Sequence, residues 1–557
     1  MKVFKAITFC ALLVASTTNL GARQDQDDQI LHVLGRLGFG ARPGDVERVR
    51  AMGLDKYIDA QLNPSSIPNA ALEQKIAAFQ TLRMSSSDIA GKFYTPPNAR
   101  NQQARRRTPQ DDPQMTAPAP EPAAPTREEM QMRRQANLPL LELSQQKLLR
   151  AVYSERQLEE VLVDFWFNHF NVFSGKGQFA KFYLTEYERE AIRPHVLGNF
   201  RDMLGATAKS PAMLWYLDNW MSAAPNTGEM DAARRARAGR PQMGRPGQLG
   251  RPGQIGRPGQ INRPGQIGQR GQMPAQRPQN ARPPRGLNEN YGRELLELHT
   301  LGVDGGYTQK DVIEVARAFT GWTIDTPRRG GGDFTFDDRI HDDREKAVLG
   351  QKIPAGGGQK DGERVLDIVA KHPSTAKHLA RKLVTRFVSD TPPPALVDRV
   401  AKVFLDSNGD LKKVMRTILT SREFLSAEAR GAKVKTPFEF VASAIRSTGA
   451  DVRNALPLLQ QLRTLGMPLY GAQPPTGYDD KAAAWINTGA LLNRMNFALE
   501  LVSNRLAGTR VAINAIDADA IVAQDALSSS TRATVSKASD KPRQIALLLG
   551  SPEFQKR

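Results

Sequence analysis

Two glutamates three residues apart, Glu294 and Glu297, stand in the string L-N-E-N-Y-G-R-E-L-L-E-L-H-T-L-G and form the most charged candidate site in the sequence. At about 100° per residue a helix gathers Asn290, Glu294 and Glu297 on one flank, while Tyr291, Leu295 and Leu298 share another face. A carboxylate pair at this spacing can hold a divalent cation, or divide acid and base roles when burial separates the two pKa values. His299 falls about 140° away from Glu294 around the same helix, so the string is not a zincin motif. The competing account is a solvated flank with Arg293 in ordinary ion pairs, and that account is favoured.

Two further places carry titratable groups. In L-E-E-V-L-V-D-F-W-F-N-H-F-N-V-F, Leu158, Leu162, Phe165, His169 and Val172 share a helical face, which favours a hydrogen-bonded core histidine over a catalytic one. Asn168 and Asn171 either cap something buried or line a pocket. The stretch Phe334 to Asp343, F-T-F-D-D-R-I-H-D-D, sets one imidazole among four carboxylates. His341 and Asp342 there, with Glu294 and Glu297, are the candidate ligands of a divalent metal such as Mg, Mn, Ca or Zn, against the commoner outcome of a solvated loop. Asp406 to Asp410 resembles a calcium loop only briefly, because Leu411 and Thr417 occupy the positions that need glycine and glutamate. It is an inter-helix turn with Asp410 as N-cap. The absence of a G-x-S-x-G elbow, a Walker loop and a dinucleotide motif argues against nucleotide-dependent chemistry.

The elements that must position these residues are helical. Apolar spacing near 3.6 runs from Ile30 to Met84, from Leu138 to Met221 and from Leu287 to about Leu506, and Asp45 is the N-cap expected after the turn R-L-G-F-G-A-R-P-G-D. Thr436, Pro437 and Glu439 place an N-cap, a first-turn proline and a capping-box glutamate in register. The pattern predicts an all-α, multi-helix globular domain with two long disordered Pro/Gly/Arg-rich inserts and at most a short hairpin, near Arg328 to Asp338. Along the chain this gives a signal peptide over 1–22, a helical part of the core over 23–94, and a disordered insert over 95–137. A helical core over 138–222, a disordered basic tract over 223–286, a helical core over 287–507 and a C-terminal helical segment over 508–557 follow.

The basic tract decides what the charge means. Between Arg234 and Arg285 there are twelve arginines and no acidic residue, four of them heading R-P-G-Q-[LI]-[GN] hexapeptides. Such a segment cannot bury enough apolar surface to offset the entropy of ordering it. Setting those twelve aside lowers the net charge from +19 to +7, which is ordinary for a globular chain of this length. No nucleic-acid partner is expected.

At the N-terminus Lys2 and Lys5 precede an uncharged apolar run from Ala6 to Ser16, followed by Thr17 to Ala22, which ends on the small residues Gly21 and Ala22. These are the parts of a secretory signal peptide, and the apolar run is too short to span a bilayer. The single cysteine, Cys10, lies inside that run, so a mature chain would carry no thiol and would rely on core burial. No transmembrane segment is expected in the mature chain, which belongs in the periplasm or outside the cell.

Eight strings recur in order: G-R-L-G-F-G, F-W-F-N-H-F, N-E-N-Y-G-R-E-L-L-E-L-H-T-L-G-V, G-Y-T-Q-K-D-V-I-E-V-A-R-A-F-T-G-W, H-D-D-R-E-K-A-V-L-G, H-P-S-T-A-K-H-L-A-R-K-L, K-T-P-F-E-F-V and P-P-T-G-Y. Together they resemble the bacterial exported domain-of-unknown-function 1800 family, over about Ile30 to Leu506. The resemblance implies a mostly helical exported protein without an established activity, and a sulfatase-like exported protein encoded nearby as a partner. It supplies no catalytic residues. The expectation is therefore an exported protein of uncharacterised activity that binds a partner protein or a cell-surface polymer. The alternative is a metal-assisted or carboxylate-based hydrolase built from Glu294, Glu297, His341 and Asp342 with His169. A hydrolase requires these side chains to converge in one pocket, whereas a binding protein lets them scatter.

N-terminal sequencing of protein recovered from its native cells is expected to begin at or close to residue 23. An intact Met1 in the cytoplasmic fraction is the opposing result.

Overall fold

The computed structural model describes residues 24–94, 126–224, 286–325, 331–518, 521–522 and 527–557. The expected signal peptide, nearly all of the basic tract and most of the first insert lie outside the described residues. Helix accounts for 61% and strand for 5%, so the helical periodicity identifies the dominant element correctly. The helices that position the site are α1 (24–37), α2 (Arg127–Tyr153), α3 (Gln157–His169), α4 (Asn290–Glu294), α5 (Gln309–Ala318), α6 (Lys360–Ala370), α7 (Pro373–Phe387), α8 (Pro437–Ser447), α9 (Thr488–Val502) and α10 (Lys541–Gly550).

Two boundaries differ from the sequence reading. The expected insert over 95–137 is too long, because α2 begins at Arg127 and carries Pro139 inside it. The residues R-E-E-M-Q-M-R-R-Q-A are good helix formers, and their propensity extends the helix upstream of the apolar periodicity that begins at Leu138. Asp45 is not an N-cap; Gly44 takes that position. Asp45 is the first residue of its helix, and its carboxylate accepts from the Arg42 backbone N–H at 2.9 Å and from Arg446 Nη2 at 3.3 Å. Arg446 on α8 also donates to the Gly40 carbonyl, which ties the R-L-G-F-G-A turn to the core.

Among the described residues there are three short antiparallel strand pairs where at most one hairpin is expected. Trp322–Ile324 (β1) pairs with Phe334–Phe336 (β2), so only β2 falls within the stretch Arg328 to Asp338 where a hairpin is anticipated. Lys346–Val348 (β3) pairs with Gln351–Ile353 (β4), and Asp451–Val452 (β5) with Thr509–Arg510 (β6). Strands of two or three residues are too short for alternation to register in a sequence. Among the described residues no helix is long and apolar enough to cross a membrane.

One continuous apolar core runs from Ile30 on α1 to Phe554, so the C-terminal segment is part of the core. α10 packs along α9, and Lys435 N–H donates to the Gln555 carbonyl at 2.9 Å. The string S-x-E-F occurs at Ser421 and at Ser551 and makes the same local contact at both places. Ser421 Oγ accepts from Phe424 N–H and Ser551 Oγ from Phe554 N–H, each at 3.1 Å, and both phenylalanines are buried. Asp410 caps its helix as expected, accepting from Lys413 N–H at 3.0 Å.

The capping box on α8 is present, and its glutamate does more than cap. Glu439 accepts from Thr436 N–H at 2.8 Å. Its other oxygen lies 2.8 Å from both Arg386 Nη1 on α7 and Arg557 Nη2. Burial alone would raise its pKa, but the two guanidinium groups hold it down to about 2 against an ordinary 4.5. A carboxylate depressed in the fold stabilises it fully above the unfolded pKa, and the contribution is lost as pH falls toward the folded value. Glu439→Gln is expected to cost about 3–5 kcal/mol in denaturant unfolding at pH 7, because it leaves two buried guanidinium groups without their shared counter-charge. The variant is also expected to lose part of the parent's acid sensitivity between pH 4.5 and 2. Equal midpoints at pH 7 would refute this role.

Candidate functional site

Three helical segments distant in sequence each bring one histidine to the same place. α3 ends at His169. α4 continues as a π-helical turn, Leu295–Thr300, that carries His299, and α7 carries His378. The His169 ring centroid is 6.2 Å from that of His299 and 6.3 Å from that of His378. Trp166 and Phe170 pack against His169 at 5.3 and 4.6 Å. π turns widen the helix and are frequent at functional sites.

Backbone carbonyls orient two of the rings. His169 Nε2–H donates to the His299 carbonyl at 3.1 Å, and His378 Nε2–H to the Leu298 carbonyl at 3.3 Å. A carbonyl can only accept, so both Nε2 atoms carry hydrogen and each neutral ring presents an Nδ1 lone pair. The Nδ1 of His169 is buried and has no partner among the described residues. Gly302 closes the other side: its φ is +86°, and a Cβ there would lie 2.7 Å from His378 Nδ1.

Lys382, one turn beyond His378 on α7, sets the electrostatics. Burial and the Lys382 charge lower the pKa of His299 to about 3 and that of His378 to about 4, and push His169 well below its ordinary value. All three imidazoles are therefore neutral at pH 7. Burial also lowers Lys382 itself, with Asp480 as the opposing influence. The lysine is half-buried and makes no hydrogen bond or ion pair among the described residues.

A cleft opens beside this cluster, lined among others by Asp164, Asn168, Asn171, Arg386, Tyr470 and Asp480. Lys147 pairs with Asp164 at 2.8 Å and sits over the Tyr470 ring. Arg386 lies 3.7 Å from Asp164 and 3.5 Å from Asp480. The two asparagines both hold the P-P-T-G-Y loop and line the cleft. Asn168 donates to the Tyr478 carbonyl and accepts from its N–H, each at 2.7 Å, while Asn171 donates to the carbonyls of Ala472 and Pro474.

Of the residues singled out by sequence, only His169 belongs to this cluster. Glu294 and Glu297 are half-buried near one another; burial and the Glu297 charge raise the Glu294 pKa, and Tyr307 Oη–H donates to Glu297 at 3.1 Å. His341 and Asp342 lie elsewhere and are buried, not in a solvated loop. His341 Nε2 is 3.3 Å from Asp361, and Asp342 is clamped by Arg317 at 2.9 Å and Arg344 at 2.6 Å. Although burial opposes it, those two guanidinium groups hold Asp342 well below the carboxylate range. No contact links the two pairs, and among the described residues no group of three or more His, Cys, Asp or Glu is placed to hold a metal ion. His299, His378, Lys382 and Arg386 are the residues the sequence reading misses. Their signal is that three of the recurrent strings each supply one of the converging histidines.

A protein-family model described as "Protein of unknown function (DUF1800)" matches residues 32–556, further toward the C-terminus than the resemblance reaches, and the chain belongs to that family. Searches of curated proteins and of solved structures found no match.

Gly302→Ala is expected to destabilise the fold by about 1–3 kcal/mol, since a side chain at positive φ is strained and the new methyl meets His378. Imidazole NMR should show the His378 signals displaced with His32 unchanged. Unchanged stability and spectrum would show that Gly302 does not fix this ring.

Proposed function

We propose, with membership of the DUF1800 family as the premise, that this chain is an exported binding protein. Its ligand is a cell-surface polymer or partner protein that presents carboxylates at Lys382. The observation that carries this reading is a half-buried ammonium beside three neutral imidazoles, with no ion-pair partner of its own. Removing a lysine from water without a counter-charge is unfavourable, and an acidic ligand group supplies that charge. Of the residues that line the adjoining cleft, the half-buried Asn168 and Asp480 add polar groups for a ligand lying over it, whereas Phe165, Tyr470 and Arg386 are buried. The hydrolase alternative draws less support, because Glu294 and Glu297 stand apart from His341 and Asp342.

Two carboxylate polymers, polygalacturonate and polyglutamate, serve as probes in calorimetric titration of the full chain, with dextran as the neutral control. At least one is expected to bind saturably. Lys382→Gln is expected to weaken that binding about tenfold, the size of one charge-assisted contact. Binding that survives the substitution undiminished, or no binding of either polyanion, would overturn the reading.

A further inference from the structure

On the far side of Glu439 from the cleft, the interior holds more guanidinium groups than carboxylates. Arg36 on α1 is 0% exposed. Among the described residues it makes one hydrogen bond, Nη2–H to the Ala429 carbonyl at 2.6 Å, and no ion pair, and its Nε and Nη1 have no partner. Arg557 packs against α1, where a Cβ on Gly35 would lie 3.6 Å from its Cβ. One of its nitrogens reaches Glu439, and Nε and Nη1 have no partner. His32, one turn before Arg36, donates Nε2–H to the Phe424 carbonyl at 2.8 Å and leaves Nδ1 without a partner.

The nearby carboxylates are already engaged. Glu439 is shared by Arg386 and Arg557, Asp390 pairs with Lys433, and Asp164 and Asp480 face Arg386 from the cleft. Burial and the like charge of Arg557 both act against the Arg36 cation, and burial with Arg36 depresses His32 to about 3. A buried lysine in this position could shed its proton, but a guanidinium group remains charged at any physiological pH. Glu439, the carboxylate that reaches Arg557, is shared with Arg386, and Arg36 has only the more distant influence of Glu439 and Asp390, so the two buried guanidinium groups remain short of counter-charge.

We infer that Arg36 and Arg557 bind a small inorganic anion of halide size inside the fold, between α1 and the segment that ends the core at Phe554. Enclosure selects for a compact monovalent ion, and the unpartnered Nε and Nη1 groups of both arginines are its donors. The site is separate from Lys382 and does not depend on the polymer reading.

Bromide is the probe, because it scatters anomalously and replaces chloride. Crystals of the full chain grown in sodium bromide are expected to show an anomalous peak within hydrogen-bonding distance of both guanidinium groups. In solution, at constant ionic strength, the parent is expected to melt about 1–3 °C higher in chloride than in gluconate, as mass action requires of a ligand bound only by the fold. Arg36→Met should abolish that difference while Lys382→Gln preserves it. If Arg36→Met does not fold, the bromide peak in the parent decides. No peak at these arginines, or a chloride effect that persists in Arg36→Met, would overturn the inference.

Discussion

A single buried carboxylate holds this architecture in register. Glu439 caps the start of α8 through Thr436, and the same side chain neutralises Arg386 from α7 and Arg557 from the last described segment. Three stretches remote in sequence thus meet on one acidic group, and each would otherwise bury an unpaired polar group. The placement of α7 matters most. His378, Lys382 and Arg386 follow one another at intervals of four on that helix, so whatever anchors Arg386 also fixes the direction in which the lysine and the imidazole point.

The local layer of this fold is legible in the sequence, whereas the long-range layer is not. Apolar spacing finds the helices, and T-P-F-E finds the α8 box because its partners lie within three residues. His169 falls on an apolar face and is a buried, hydrogen-bonded histidine, as that face requires. What periodicity cannot give is the acceptor, the carbonyl of His299, which comes from a π turn distant in the chain. A wheel drawn at a constant 100° per residue compares Glu294 only with its own helix, and it sets His299 aside for lying on the wrong side. That opposite side is the one facing His169. Asp342, in the densest acidic string, is one that the fold has matched with arginines. The proposed function rests instead on a lysine with no ion pair among the described residues.

Export of the chain and the identity of its ligand rest on sequence pattern and on electrostatic need, and the two arguments are independent. The signal-like N-terminus concerns where the chain is delivered. Under the proposed function, Lys382 concerns what the chain binds, and a polyanionic surface is the match for a site short of negative charge.

Along α7 the extent of charge compensation changes in one direction. Arg386 is buried and faces three carboxylates, Glu439, Asp164 and Asp480. One turn toward the N-terminus, Lys382 is half-buried with only the more distant influence of Asp480. A further turn back, His378 is neutral because burial, with the charge of that same lysine, suppresses its protonation. A helix selected for stability alone would gain by giving Lys382 a carboxylate of its own, or by replacing it with an apolar residue. The compensated end holds the helix in place, and under the proposed function the uncompensated end offers a pre-oriented charge, partly desolvated before a ligand arrives, which lowers the reorganisation needed on binding.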